Sequence, residues 1–169
     1  MTFHSTIKLE SQQINGMTQI TRLTILPASQ SGTAIHVAEA IKDRLDALGS
    51  HVVEIVEEGR IPDIGFADTD VLLLVIATHG EGEVPDSFLP VYEALQTQRP
   101  NLTDLRYGVV ALGDMTYHNS FCGAGRIIDG IFGDLGGSRI GERCEIDAST
   151  QPFADEDALA WLEHWIEAL

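Results

Sequence analysis

The sequence predicts a doubly wound α/β fold, with a five-stranded parallel sheet in the order 2-1-3-4-5 and helices on both faces. Five strand-like segments alternate with four helix-like segments between residues 21 and 169, which is the pattern of this fold class. The third strand-like segment, Val71–Ile76, is apolar without interruption. Such a run is typical of a strand buried on both faces, as in parallel sheets covered by helices.

The first half of the chain supplies three strands and one helix. Leu23–Leu26 is short, apolar and β-branched, so it predicts the first strand. Apolar residues recur at helical spacing from Ile35 to Leu48, and Gly49 follows as a residue type that commonly ends helices. His51–Val56 predicts the second strand, ahead of the buried third one.

The same alternation continues after the third strand. The predicted elements are a helix over Ser87–Thr97 with Pro90 in its first turn, a fourth strand over Tyr107–Leu112, a helix over Ala124–Leu135, a fifth strand over Ile140–Ile146 and a last helix from Asp155 to Leu169. Residues 1–20 show no clear period. We expect them to form a flexible extension ahead of one domain that spans residues 21–169.

The charge and the cysteines restrict the function classes. Ten basic residues face 26 acidic ones, for a formal net charge of −16, which argues against nucleic acid and anionic membrane surfaces as partners. A protein partner with a basic face fits this charge. Cys122 and Cys144 match no metal or redox spacing, and the longest apolar run is too short to span a membrane. We expect no signal peptide. We therefore expect a cytoplasmic protein without disulfides.

The loop after the first strand contains three hydroxyl residues and a glycine. Ser29, Ser31 and Thr33 precede a helix, where free N–H groups and the helix dipole favour an anion. Gly32 allows the backbone to approach a ligand closely. The loop has no lysine of the kind that triphosphate-binding loops carry. A single phosphate fits this pattern, and an ordinary Ser/Thr helix cap is the alternative interpretation.

Two further loops are expected at the same edge of the sheet, because they follow the third and fourth strands. The loop Ala77–Asp86 has two glycines for tight turns, and a flexible acidic turn is its alternative interpretation. The loop Leu112–Gly123 carries Tyr117, an aromatic ring suited to stacking. Tyr117 could equally pack beneath its own loop. The three loops together predict a ligand site more strongly than any one of them.

These loops resemble the flavodoxin superfamily, most closely its short, MioC-type members. The family phosphate loop S/T-x-T/S-G-T/G matches Ser29–Thr33, and the segment S-T-Y/H-G-x-G-D/E-x-P-D matches Ala77–Asp86. The segment G-x-G-x-x-x-Y followed by F-C-x-A-G matches Ala111–Gly125, with alanine in place of the first glycine. The resemblance covers residues 22–169 and implies non-covalent flavin mononucleotide (FMN), with Tyr117 stacking on its ring. It places Ser29, Gln30, Ser31, Gly32 and Thr33 at the phosphate, and Ala77, Thr78, His79, Gly80, Glu81, Gly82, Leu112, Gly113, Asp114, Tyr117, Asn119, Phe121 and Cys122 around the ring.

The resemblance also implies a function, which is one-electron transfer without a catalytic nucleophile. Electrons would come from an NADPH-dependent flavoprotein reductase with a basic face and go to an acceptor such as an iron–sulfur enzyme. Carboxylates at Glu81, Glu83, Asp86 and Asp114 would lower the flavin potential, and a protonated His79 would raise it. Two alternatives stay open: an FMN-dependent NAD(P)H:quinone-type reductase, and a flavin-free interaction module of the same fold.

Overall fold

The computed structural model describes residues 21–56 and 69–169. The extension predicted for residues 1–20 lies outside the described residues. The described ranges contain the strands β1 (Thr21–Ala28), β2 (His51–Ile55), β3 (Val71–Ala77), β4 (Arg106–Gly113), β5 (Ser138–Arg139) and β6 (Cys144–Asp147), and the helices α1 (Thr33–Leu48), α2 (Leu89–Gln98), α3 (Gly123–Asp134) and α4 (Ala154–Ile166).

The strands form one parallel sheet in the order β2-β1-β3-β4-β5, and β6 also pairs with β4. At mid-sheet, Ile25 of β1 pairs with Leu73 of β3, which pairs with Gly108 of β4. Every residue of Val71–Ile76 is fully buried, as expected for a central strand covered on both faces. The predicted fold class and strand order are confirmed.

Helices cover both faces of the sheet and divide the core into two layers. On one face, Ile41 of α1 and Leu162 of α4 belong to the same buried cluster. On the other face, Leu95 of α2 and Phe132 of α3 belong to the second cluster. Burying these apolar stripes against the sheet is the main favourable contribution to folding. Helices therefore cover both faces of the sheet, and the ends of its strands are left for loops and ligands.

Among the described residues, the ladder between β1 and β2 ends before β1 does, and a proline follows on β1. The last pair in register is Ile25 with Ile55, and the N–H of Val56 donates to the carbonyl of Ile25 at 2.9 Å. Pro27 lies two residues further along β1. Its backbone nitrogen therefore points toward the β2 side, as the carbonyl of Ile25 does. Because proline has no N–H, Pro27 cannot donate a ladder hydrogen bond on this side. Within the part of the chain that the structure describes, β1 then pairs with β3 alone as far as Ala28.

The fifth position of the sheet differs from the prediction. A continuous strand over Ile140–Ile146 is wrong in its bounds, because the two short strands β5 and β6 occupy this position. Gly141 between them has a φ of 66°, which lies in the left-handed region and interrupts extended backbone. The N–H of Ile140 still donates to the Tyr107 carbonyl at 2.7 Å, and Trp165 Nε1 donates to the Ile140 carbonyl at 2.9 Å. The interrupted segment therefore stays against β4.

Two predicted features of the helices are confirmed. Gly49 ends α1 with a φ of 68°, and its N–H donates to the Asp46 carbonyl at 3.1 Å, which is a typical glycine cap. Pro90 lies in the first turn of α2, after a short 3-10 turn over Asp86–Phe88. Among the helices of the described ranges, none combines the length and the apolarity needed to cross a bilayer.

A polar network ties α3 to β4 and to the fifth position. Asp129 of α3 is only 7% exposed, and the Tyr107 hydroxyl donates to its Oδ1 at 2.7 Å. Arg139 and Arg143 both donate to Asp129 Oδ2. Burial and the bond to this carboxylate raise the pKa of Tyr107. This network anchors the segment that carries β5 and β6.

Candidate functional site: a cleft at the carboxyl ends of the strands

The carboxyl ends of β1, β3, β4 and β6 meet at one edge of the sheet. Ala77 pairs with Leu112 at the ends of β3 and β4, and Gly113 pairs with Asp147 at the ends of β4 and β6. The loops that leave this edge surround a cleft of about 550 Å³, a size typical of small-molecule and cofactor sites. Its position agrees with the rule that ligands of open α/β sheets bind beyond the carboxyl ends of the strands.

The cleft gathers residues from all three predicted loops. Half of the predicted site residues line it: Ser31, Thr33, Ala77, Thr78, Gly80, Leu112, Gly113, Asp114 and Tyr117. The other predicted residues belong to the same loops but are not part of the lining: Ser29, Gln30, Gly32, His79, Glu81, Gly82, Asn119, Phe121 and Cys122. Ser120 and Ala148 also line the cleft, and they were not predicted from the sequence. Ala148 could have been found, because it follows a strand that ends at this edge.

The loop after β1 turns into α1 through Gly32, whose φ of 81° requires a residue that tolerates the left-handed region. Ser29 is buried, and its Oγ accepts a hydrogen bond from the N–H of Ala34 at 3.2 Å. This hydroxyl therefore satisfies one N–H of the first turn of α1, whose N-cap residue is Gly32. The hydroxyls of Ser31 and Thr33 lie 3.1 Å apart, and both residues line the cleft. Together with N–H groups of the first helical turn, they offer donors to an anion.

The loop after β3 is a closed turn. The N–H of His79 donates to the Glu83 carbonyl, and the N–H of Glu83 donates to the His79 carbonyl, both at 2.9 Å. Glu83 Oε2 also accepts the N–H of Glu81 at 2.8 Å. At the base of the turn, the N–H and the hydroxyl of Thr78 both donate to the Leu112 carbonyl, at 3.1 and 3.0 Å. These bonds fix one wall of the cleft and leave the side chain of His79 exposed.

The loop after β4 presents an exposed aromatic ring. Asp114 Oδ1 accepts the N–H of Thr116 at 2.8 Å, and the Asp114 carbonyl accepts the N–H of Tyr117 at 3.0 Å. Tyr117 is 65% exposed and lines the cleft. This placement favours the interpretation of Tyr117 as a stacking surface over the alternative that it packs beneath its own loop.

Phe121 and Cys122 lie behind this wall. Both are buried, and the thiol of Cys122 donates to the Ala111 carbonyl at 3.4 Å. Burial raises the pKa of Cys122 to about 12. The guanidinium of Arg126 lies 5.9 Å from the centroid of the Phe121 ring. These side chains support the loop that carries Tyr117.

The loop after β3 and the loop after β4 touch each other at a pair of glycines. A Cβ atom added to Gly123 would lie 2.8 Å from the Gly82 carbonyl oxygen and 2.9 Å from the Gly82 Cα. Gly82 has a φ of 113°, a conformation that L side chains rarely adopt. Only glycine at both positions permits this approach, which sets the separation between the two walls of the cleft.

The charge around the cleft is negative. Glu81, Glu83 and Asp86 are exposed on the loop after β3, and Asp114 lines the cleft on the opposite side. Among the described residues, no lysine or arginine lines the cleft. An anion bound here would therefore depend on N–H and hydroxyl donors near the start of α1.

The family model of flavodoxin matches residues 25–161 of the chain. The chain belongs to the flavodoxin family. This flavodoxin is 31% identical to Protein MioC of Escherichia coli O157:H7 over 147 residues, which are 87% of this chain and 97% of MioC. The predicted likeness to short, MioC-type members is thereby confirmed. It is also 36% identical, over 98% of its length, to the sulfite reductase [NADPH] flavoprotein alpha-component of Mannheimia succiniciproducens, of which it spans 26%.

Solved structures agree with this assignment. A cysteine-to-alanine mutant of flavodoxin from Pseudomonas aeruginosa superposes with a TM-score of 0.79 at 32% identity, covering 88% of this chain and 98% of that one. A mutant flavodoxin from Fusobacterium nucleatum was solved bound to flavin mononucleotide. It has the same fold, with a TM-score of 0.68 at 18% identity, over 88% of this chain and 96% of that one.

The chemistry of the cleft fits FMN. One end carries the adjacent hydroxyls of Ser31 and Thr33 at a helix N-terminus, which suits a single phosphate. The other end is bounded by the exposed ring of Tyr117 and by the backbone at Gly80 and Gly113, which suits a flat aromatic ring system.

Proposed function

We propose that this flavodoxin binds FMN non-covalently and carries single electrons between other proteins. The observation that carries the proposal is one cleft that joins the hydroxyl-lined start of α1 to the exposed ring of Tyr117. Ser31 and Thr33 would hold the phosphate, while Thr78, Gly80 and Tyr117 would bound the ring. FMN, when bound, supplies the one-electron chemistry, and the residues of the chain orient it and set the surrounding charge.

The acidic loops would make the bound flavin harder to reduce. A unit charge at about 10 Å in an effective dielectric of about 20 contributes roughly 1.7 kcal/mol of repulsion toward an added negative charge. This energy corresponds to roughly 70 mV for a one-electron couple, before salt screening. Three of the carboxylates, Glu81, Glu83 and Asp86, follow β3, and Asp114 follows β4. Their carboxylates therefore support a carrier that works at low potential.

An NADPH-dependent flavoprotein reductase with a basic docking face is the proposed electron donor, and an iron–sulfur enzyme is the proposed acceptor. The likeness of nearly the whole chain to a quarter of an NADPH sulfite reductase flavoprotein supports the donor class. The net charge of −16 supports a partner attracted by electrostatics. Such encounters are small and transient, and reduction by NADPH plus the reductase should slow as salt rises. The proposed location is the cytoplasm.

The direct test is flavin binding by the purified full chain, with variants of each end of the cleft. FMN should turn the protein yellow, and anaerobic titration should resolve two one-electron reduction steps. Thr33→Val should weaken FMN binding roughly tenfold and leave riboflavin binding unchanged, because the hydroxyl would contact only the phosphate. Tyr117→Ala should weaken both roughly tenfold. Thr97→Val, at the exposed end of α2, serves as the matched control and should change neither.

Two outcomes would contradict the proposal. A chain that stays colourless after incubation with excess FMN would favour the flavin-free interaction module. Steady NAD(P)H oxidation by the FMN-loaded protein with a quinone, and without any added reductase, would favour the quinone-type reductase.

A further inference from the structure

A carboxylate outside the cleft joins two of its walls. Asp147 is the last residue of β6 and pairs with Gly113, the last residue of β4. Its Oδ1 accepts the N–H of Met115 at 2.8 Å, on the loop that follows β4. The same atom accepts the N–H of Ser149 at 3.0 Å and the Ser149 hydroxyl at 2.7 Å. Asp147 Oδ2 accepts the Thr150 hydroxyl at 2.9 Å.

The backbone of Asp147 is held as firmly as its side chain. Its carbonyl accepts the N–H groups of Thr150 and Gln151, at 3.1 and 2.7 Å, and its own N–H donates to Gln151 Oε1 at 2.9 Å. Ala148, the next residue, lines the cleft, and its N–H donates to the Gly113 carbonyl at 2.9 Å. The turn after β6 is therefore a closed unit with one face on the cleft.

The hydrogen bond from the Met115 N–H to Asp147 links the turn after β6 to the loop that carries the Tyr117 ring. Met115 lies between Asp114 and Tyr117, which both line the cleft and are joined by the bond from the Tyr117 N–H to the Asp114 carbonyl. Fixing the N–H of Met115 thus fixes the turn that presents the Tyr117 ring. Asp147 itself is not part of the cleft lining, so it would act on a ligand only through these neighbours.

We propose that Asp147 is a positioning residue for the flavin ring, which holds the loop of Tyr117 in place for stacking from outside the cleft. This inference rests on the proposed FMN site. The N–H of Met115, followed by the donors of Ser149 and Thr150, lowers the pKa of Asp147 to about 2. The carboxylate is therefore ionised at neutral pH, where charge-assisted hydrogen bonds are stronger than neutral ones.

The test compares Asp147→Ala, Asp147→Asn and Glu167→Gln in the full chain. Asp147→Ala should weaken the binding of FMN and of riboflavin by the same factor, roughly tenfold or more. The factor is the same because the substitution leaves the phosphate end of the cleft unchanged. Asp147→Asn keeps one acceptor for Met115 and should weaken both by roughly threefold. Glu167→Gln removes an exposed charge beyond the end of α4 and should change neither. Bound flavin should also fluoresce more strongly in Asp147→Ala, because Tyr117 quenches it less.

A double-mutant cycle separates positioning from a general loss of structure. In a Tyr117→Ala background, Asp147→Ala should change FMN affinity by less than roughly threefold, because residues that act through one another are not additive. Amide hydrogen exchange of the ligand-free chain should be faster at Met115 and Tyr117 in Asp147→Ala than in the unsubstituted chain.

The outcomes distinguish the two proposals. If the unsubstituted chain binds no flavin, the FMN site is refuted and the positioning role falls with it. If the unsubstituted chain binds FMN and Asp147→Ala binds it equally well, the positioning role alone is overturned. The positioning role is also overturned if Asp147→Ala weakens the binding of FMN but not that of riboflavin. It is overturned as well if Asp147→Ala lowers FMN affinity as much in the Tyr117→Ala background as in the unsubstituted chain. Should Asp147→Ala fail to fold, Asp147→Asn gives the same comparisons.

Discussion

Replacing Gly123 by alanine should push apart the two walls of the cleft. The new Cβ would lie 2.8 Å from the Gly82 carbonyl oxygen, whereas ordinary contacts begin at 3.4 Å. The loops must therefore separate by the difference, about 0.6 Å. Forcing an extra carbon into a packed contact costs about 1–3 kcal/mol. Replacing a helical glycine by alanine returns up to about 1 kcal/mol. We expect the free energy of unfolding to fall by up to about 2 kcal/mol.

Gly130 provides a matched control on the same helix. A Cβ atom there has no neighbour within 4 Å, so Gly130→Ala should stabilise the protein by about 0.5–1 kcal/mol. Urea denaturation of both variants measures the two effects with the same change in composition. Because the gain from replacing glycine is common to both, the variants should differ in unfolding free energy by the strain alone, about 1–3 kcal/mol.

Flavin titration gives the functional half of this prediction. If bound FMN requires the closed loops, the strain must be restored on binding, and about 1–3 kcal/mol corresponds to a roughly 5–150-fold loss of affinity. Gly130→Ala should bind FMN as the unsubstituted chain does. Equal stability of the two variants, or unchanged FMN affinity of Gly123→Ala, would refute the argument that this glycine contact sets the width of the cleft.

Three further predictions concern stability and reactivity. Asp129→Ala should lower the free energy of unfolding by about 2–4 kcal/mol in urea, because it removes the carboxylate shared by two guanidiniums and a buried hydroxyl; Asp134→Ala, exposed on the same helix, should change it by less than about 0.5 kcal/mol. The pKa of Asp147 is lowered from 3.8 to about 2, so its stabilising effect is complete above about pH 4 and lost as the pH falls through about 2. At each pH above 4, the urea concentration at the unfolding midpoint should therefore be lower for Asp147→Asn than for the unsubstituted chain. The two midpoints should converge as the pH falls toward 2. Burial raises the pKa of Cys122 and Cys144 to about 12 each, so a thiol reagent at pH 8 should label them only after unfolding.

Much of the fold could be predicted because its local patterns agree with its global arrangement. The unbroken run Val71–Ile76 predicts a central strand, and β3 is that strand. Gly49 predicts the end of a helix, and its left-handed φ ends α1. The split of the fifth strand was not predicted, because Ile140–Ile146 has strand-like composition and Gly141 can adopt either extended or left-handed backbone. Only packing against β4 and Trp165 decides between these conformations.

The candidate site was predicted at the level of loops and less well at the level of side chains. Ser29 and Ser31 have the same chemistry in the sequence, but Ser29 accepts an N–H of the first turn of α1 while Ser31 lines the cleft. Which hydroxyl is used by the helix depends on the turn at Gly32, which composition alone does not determine. The contact between Asp147 and Met115 joins residues far apart in the chain. No local pattern predicts such a pairing.

The early end of the β1–β2 ladder has a consequence for what else can bind at this edge of the sheet. Strand edges with free N–H and carbonyl groups recruit other polypeptides, which is a common route to aggregation. Beyond Ile25, β1 runs on for three residues, and the residue that faces the β2 side is Pro27. Because Pro27 offers no N–H there, this stretch of β1 is a poor template for an incoming strand. Among the described residues, Pro27 thus disfavours strand addition next to the loop Ser29–Thr33, whose Ser31 and Thr33 line the cleft.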